Sequence, residues 1–273
     1  MHELPLVIFT LFMQASVGCL VITLLCYFRL FGCTDARTGM KWVRVPLVAS
    51  FLLGCVGLLG SLFHMGNPFH MFYTMLHVST SWMSREVWAT AIYMALLFFS
   101  VALLLLSAAA GLVYMYAMSA LYANTLFNLW GGLFTYAGFF GTVLLTGGMI
   151  AGLLLVTALG FAREDVLIQR VVKISLAAGV AGLLLMLLGA LSLLGNIGEP
   201  IYAGMTPRTM PEGLLNLNII RVVLIGLGMF FAGRLLCQKN EQVTNGTLMM
   251  ALAAICVFAG EAVGRVVFFS LGA

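Results

Sequence analysis

The sequence predicts an all-α protein, a polytopic membrane helix bundle of eight transmembrane helices with both termini on the outer face. Three observations carry that expectation. Of 273 residues, 63% are hydrophobic and 8% charged, whereas a soluble domain carries about 25% charged residues. Apolar runs of about 20 residues recur between short polar breaks, and each is long enough to cross a hydrocarbon core about 30 Å thick. These runs lack the alternation of a strand, so the backbone groups that lipid cannot satisfy are expected to pair within helices rather than around a barrel. Finally, basic residues crowd into alternate loops, which fixes an orientation.

Taken in order, helix 1 is expected over about 6–28, ending in a basic segment with Arg29, Arg37, Lys41 and Arg44. Such clusters stay inside, so the N-terminus is outside. The opening MHELPL has no basic n-region and is expected to be a mature start rather than a signal peptide. Helix 2, about 45–65, carries Gly54, Gly57, Gly60, Ser61 and His64 at spacings of three and four, a small-residue seam for close approach of another helix. Asn67 and Pro68 then read as an N-cap and first helical residue. With Phe69, Phe72, Tyr73 and Leu76 at helical spacing, they predict a short interfacial helix between helices 2 and 3. Ser84 is expected to cap helix 3, placing Glu86 in its first turn.

Residues 87–162 contain no formal charge, and at 1.5 Å per residue that length suits three crossings far better than one. They are placed at about 87–105, 109–127 and 133–159, with a tight turn near Ser107 to Gly111. The inner segment with Arg163, Arg170 and Lys173 precedes helix 6, about 174–194. A longer outer loop leads to helix 7, about 217–236, and helix 8, about 247–271, ends outside. Nine basic residues then lie inside (Arg29, Arg37, Lys41, Arg44, Arg163, Arg170, Lys173, Arg234, Lys239) and four outside (Arg85, Arg208, Arg221, Arg265). The chain reads as a single integral membrane domain, 1–273, without repeat or extramembrane module. Its surroundings are membrane lipid, and nothing in it predicts nucleic-acid binding.

The same count puts all four histidines, His2, His64, His70 and His77, at the outer face, together with Glu86 and Glu261. Histidine is the side chain whose unperturbed pKa, about 6.5, suits proton exchange near neutrality. His64 is distinguished by the glycine seam that turns it toward a neighbouring helix, although an interfacial histidine is most simply a polar contact. Glu86 at a helix start is favoured by the helix dipole alone. Glu261 and Arg265 stand four residues apart, with Arg221 near the same end of helix 7. An ionisable group in an apolar run is a functional candidate, while the plainer account is a salt bridge tying helices 7 and 8 together. The glycine stripes of helices 5 and 6 are most simply packing seams.

Several chemistries are set aside. The six cysteines form no C-x-x-C pair for zinc or an iron–sulfur cluster. Of the histidines, only His64 falls on a spanning helix, which excludes bis-histidine haem, and no Gly-rich nucleotide loop is present. No metal site, haem or iron–sulfur cluster is therefore expected in this chain. Electrons passing through it would enter on a diffusible lipid carrier and leave to another subunit. A small-solute transporter is the competing class, but it predicts charges or broken helices near the midplane. A purely structural anchor is the third.

The residues MHELPLVIFT at the start, SLFHMGNPFHMFY with its downstream SRE, and GEAVGRVVFFSLG at the end resemble the membrane-anchor subunit family of bacterial dimethyl sulfoxide reductases. The resemblance covers essentially the whole chain, although the turn near Ser107 is shorter and less basic than the family's. It implies an anchor in the inner membrane, with soluble partners on the periplasmic side: a molybdopterin catalytic subunit and an iron–sulfur subunit with four [4Fe-4S] clusters. It implies menaquinol as bound substrate, oxidised to menaquinone in anaerobic respiration. The family's quinol-site histidine falls on His64 and its acidic residue on Glu86. Gly66, Phe72 and Thr74 occupy neighbouring site positions, and His70 stands where the family carries arginine. Arg221, Glu261 and Arg265 are expected to support the acidic groups.

Overall fold

A computed structural model describes residues 4–31, 36–64, 71–99, 103–125, 128–162, 164–194, 213–237 and 243–271. Among these residues all regular structure is helical. The elements are α1 (Leu4–Cys26), continued by a π-helical turn Tyr27–Phe31; α2 (Ala36–His64); α3 (Met71–Thr74), continued by a 3-10 turn Met75–His77; and α4 (Trp82–Phe98). There follow α5 (Leu104–Ala123), α6 (Leu133–Ala162), α7 (Asp165–Leu194), α8 (Leu214–Cys237) and α9 (Val243–Ser270). Seven of these, α1, α2 and α5 to α9, are long and apolar enough to cross a membrane. At 17 residues, α4 stands at the short end of the spanning range of about 17–25.

The long helices extend beyond the runs expected from hydropathy, because a helix continues into water as long as its backbone bonds are made. α2 begins at Ala36, not near Val45, and carries Pro46 in its interior. Proline has no N–H to donate and crowds the preceding turn. Here its own carbonyl becomes a junction, accepting from the Ser50 hydroxyl at 2.9 Å and from Cys19 Sγ of α1 at 3.7 Å. α7 likewise begins at Asp165, where an acid in the first turn complements the helix dipole.

The break between α4 and α5 differs most from expectation. It falls at 99–103, and Ser107 to Gly111 lie inside α5. The run Ser-Ala-Ala-Ala-Gly is a contact seam and not a turn: a Cβ on Gly111 would meet the Tyr93 ring and Val17, while Ser107 Oγ satisfies the Leu103 carbonyl at 3.0 Å. The expected cap also moves. Ser81, not Ser84, is the N-cap of α4, accepting from the Ser84 amide at 3.4 Å. Glu86 therefore sits in the second turn. The short helix after α2 is a single turn of α-helix with a 3-10 extension, and Asn67, Pro68 and Phe69 lie outside the described residues.

α1 occupies the centre and is buried on nearly all sides, packed on α2, α5, α6 and α9. Its closest approach is to α6, where Gly18 and Gly147 oppose each other. A Cβ on either would drive into the other helix's backbone. The expected seam on α2 faces this central helix, with Gly57 against Met13 and Gly60 against Ile8 and Phe9. α6 and α7 approach through Gly141 and Gly182, and α8 and α9 through Gly228 and Gly260. Small residues thus set the spacing of the bundle, as is common where lipid offers no hydrophobic drive for helices to associate.

Candidate functional site

Among the described residues, the expected site residues fall in two polar clusters within this apolar bundle. The first surrounds the start of α4. Residues 71–81 fold back onto its first two turns and are held there by side chains of α4. The Ser84 hydroxyl donates to the Thr74 carbonyl. Arg85 donates through Nε to the Val78 carbonyl at 2.9 Å and through Nη2 to that of Ser79 at 2.7 Å. Trp88 Nε1 reaches the Met75 carbonyl at 3.1 Å, and the Arg85 guanidinium lies 4.4 Å from the Trp82 ring centroid. These bonds satisfy carbonyls of a segment too short and irregular to satisfy them itself. Tyr73, Thr74, His77 and Ser84 line a shallow open depression beside it.

One turn further along, Glu86 points inward. It is 6% exposed, and its Oε1 has no hydrogen-bond partner among the described residues. Its backbone carbonyl accepts from the Thr90 hydroxyl at 2.7 Å. Across the α4–α5 hairpin the carboxyl lies within electrostatic reach of Tyr114 and Tyr122. Tyr114 is fully buried and stacks on Tyr93 at 6.1 Å. Tyr93 Oη bonds Ser16 Oγ of α1 at 2.8 Å, whereas the Tyr114 hydroxyl lies near Thr90 on the Glu86 side. A buried carboxyl with an open oxygen is costly unless something polar reaches it.

His64 is the last residue of α2. Its side chain, Gly66, His70 and the side chain of Phe72 lie outside the described residues, so of the expected quinol-site group the structure relates Thr74 and Glu86. Ser84, expected to act only as a cap, bonds the Thr74 carbonyl and stands two residues before Glu86 on α4.

The second cluster joins α6, α8 and α9. Arg221 donates through Nη2 to Glu261 Oε1 at 3.0 Å and through Nε at 3.3 Å. The other carboxylate oxygen, Oε2, accepts from the Thr142 hydroxyl at 2.6 Å, and Thr142 Oγ1 accepts from Arg265 Nη2 at 3.0 Å. Arg265 also lies 4.0 Å from the centroid of Phe139. Glu261 is thus bonded to an arginine of the neighbouring helix and not directly to Arg265 four residues on. The helix-tying salt bridge is present, and Arg265 extends it to α6 by way of Thr142. Among the described residues these three charged side chains make no hydrogen bond or ion pair with Glu86, and Tyr122 is within electrostatic reach of both Glu86 and Arg265. Thr142, Tyr114 and Tyr122 are the polar residues that the sequence did not single out. A lone threonine in a helix usually satisfies its own backbone, and Thr142 also lies 2.9 Å from the Gly138 carbonyl.

The model of the family described as DMSO reductase anchor subunit (DmsC) matches residues 1–271. YnfH of Escherichia coli (strain K12), named as an anaerobic dimethyl sulfoxide reductase chain, is 29% identical over 99% of this protein and 95% of its own length. A relative from Haemophilus influenzae, likewise named as a chain of anaerobic dimethyl sulfoxide reductase, is 27% identical with the same coverage. A second such relative from Escherichia coli (strain K12) is 26% identical, again with the same coverage. No solved structure matches the protein. With the family pattern running from the first residue to the end of α9, and seven helices able to span a membrane, this multi-pass protein belongs to the dimethyl sulfoxide reductase anchor-subunit family.

Proposed function

We propose that this chain anchors a dimethyl sulfoxide reductase type complex to the bacterial inner membrane and oxidises menaquinol for it. In this reading α4 is the eighth crossing, both termini face the periplasm, and α3 lies in the interface. The basic residues gathered at the opposite ends of the helices support that orientation. The partners are an iron–sulfur subunit with four [4Fe-4S] clusters and a molybdopterin subunit that reduces the terminal substrate.

The observation that carries the proposal is Glu86, a carboxyl buried at the start of α4 with one oxygen unpartnered among the described residues, beside a segment that leads directly from His64. Menaquinol enters from lipid with its head at this end of α2 and α4, among His64, Gly66, His70, Phe72 and Thr74. His64 takes the proton of one hydroxyl as general base, and Glu86 takes the second. The two electrons go to the nearest cluster of the partner. Menaquinone leaves to lipid and both protons leave to the periplasm, so no net charge crosses the membrane in this step.

The test uses membranes carrying the whole complex with His64→Ala or Glu86→Gln. An artificial dye that feeds the soluble subunits directly should drive reduction at the unaltered rate, which shows assembly. Menaquinol-driven reduction should fall by about 10²-fold or more, the usual contribution of a positioned acid or base. Undiminished menaquinol-driven turnover in both variants would leave the chain as a structural anchor.

A further inference from the structure

Where α6 and α8 begin and α7 and α9 end, the structure contains a cavity of about 370 Å³. Phe134, Met186, Leu191, Asn218, Arg221 and Phe268 are among the residues lining it. Its charge does not balance. Glu261 is 1% exposed and Arg265 4%, and the Arg221 side chain is 23% exposed. Two guanidinium groups thus stand beside one carboxylate, Arg265 only by way of Thr142, and both carboxylate oxygens are already taken, Oε1 by Arg221 and Oε2 by Thr142. Arg221 has donors to spare: Nε and Nη2 are engaged by Glu261 and by Met186 Sδ, while Nη1 has no partner among the described residues. A net positive charge in so apolar a setting needs a counter-charge.

The walls say what kind of molecule could bring it. α7 meets α8 over much less of its length than it meets α6. The leucines on the α7 side of the opening, Leu187, Leu191 and Leu194, are exposed on the outside of the bundle. The cavity is therefore reached sideways, between two apolar helix faces, and its cation sits at the helix ends. An acyl chain fits the faces and an acidic headgroup fits the arginines.

We propose that this cleft binds the phosphate of an anionic membrane phospholipid, with Arg221 Nη1 donating to a phosphate oxygen and Arg265 contributing charge from behind. Its acyl chains lie along the leucines of α7 and the facing side of α8. The site is separate from the proposed quinol site and does not depend on it.

The intact assembly purified through this chain should be stripped of lipid and exposed separately to phosphatidylglycerol, to phosphatidylethanolamine and to inorganic phosphate. Native mass spectrometry then reads the retained adduct. Phosphatidylglycerol should be retained about tenfold better than phosphatidylethanolamine, and Arg221→Gln should abolish that preference, as expected for loss of one charge-assisted hydrogen bond. Ala190→Phe narrows the cleft from its α7 wall and alters none of the ion-paired residues, and should lower phosphatidylglycerol retention by a similar factor. It decides the matter if the Arg221 variant fails to assemble. Equal retention of the two lipids by the unaltered chain, retention unchanged by Ala190→Phe, or an adduct with the mass of inorganic phosphate alone would overturn the assignment.

Discussion

Arg221 and Glu261 meet at 3.0 Å across the α8–α9 crossing, and the carboxylate's other oxygen is held from α6 by Thr142. One nearly inaccessible charge therefore couples three helices. Removing one partner of a buried pair costs about 3–5 kcal/mol, because the other is left charged and unpaired. Arg221→Met alone and Glu261→Gln alone should each lower the thermal midpoint of the purified assembly. The double variant should recover part of the loss, since it strands neither Glu261 nor Arg221, while Arg265 still loses its nearby carboxylate. A double variant as destabilised as the sum of the two singles would mean that the groups do not interact in the folded protein.

Gly264 is what lets Arg221 reach across. A Cβ there would come within 2.5 Å of Arg221 Nε and 2.7 Å of Cζ, so Gly264→Ala should push the guanidinium off Glu261. The obstacle is a flexible side chain and not a helix backbone. The expected cost is thus smaller than that of losing the pair, about 1–3 kcal/mol as for other overpacked sites. In an Arg221→Met background that cost should largely vanish. A thermal shift of the same size in both backgrounds would place the strain elsewhere.

How far this arrangement could be read in advance depends on which interaction set it. The helices were legible because composition alone dictates them, and Glu261, Arg265 and Arg221 stood out as charges in apolar runs. Their pairing was not, because Glu261 is bonded to a residue 40 positions away and not to the arginine on its own helix. Which side of α9 faces α8 is decided by glycines such as Gly228 and Gly260 acting together. Ser107 to Gly111 failed as a turn for the same reason: small residues mark both turns and helix contacts, and only the partner ring of Tyr93 distinguishes them. The basic segment misplaced the start of α2: Arg37, Lys41 and Arg44 were read as an inner loop, whereas the helix begins at Ala36 and includes them. At the candidate site, Glu86 entered as the position that the resemblance assigns to an acid, since a helix start alone accounts for an acidic residue there. Its burial and its tyrosine neighbours belong to the α4–α5 hairpin, whose limits were misread.

The link from Ser84 to Thr74 gives the first cluster its own test. Ser84→Ala removes one side-chain bond to a carbonyl, worth about 1 kcal/mol, and leaves the Ser81 cap in place. Amide exchange in residues 75–81 should quicken while exchange within α5 and α6 stays unchanged. Uniformly faster exchange throughout the bundle would make Ser84 a global rather than a local support.

The Gly18–Gly147 crossing is the most demanding position in the bundle. A Cβ on Gly147 would overlap the Gly18 backbone, and one on Gly18 the Val143 carbonyl. In both cases the obstacle is main chain, which cannot rotate away, so α1 must shift against α2, α5, α6 and α9, which pack on it. Gly147→Ala should therefore prevent accumulation of folded protein in membranes. Gly226 and Gly233 provide the comparison, because a Cβ at either meets nothing within 4 Å. Alanine there should be neutral or stabilising by up to about 1 kcal/mol, the usual gain over glycine within a helix. Detergent-extracted yield, followed by size-exclusion chromatography, separates the two classes. Normal yield for Gly147→Ala would show that α1 and α6 can part without loss of the fold, and the central role assigned to α1 would then fail.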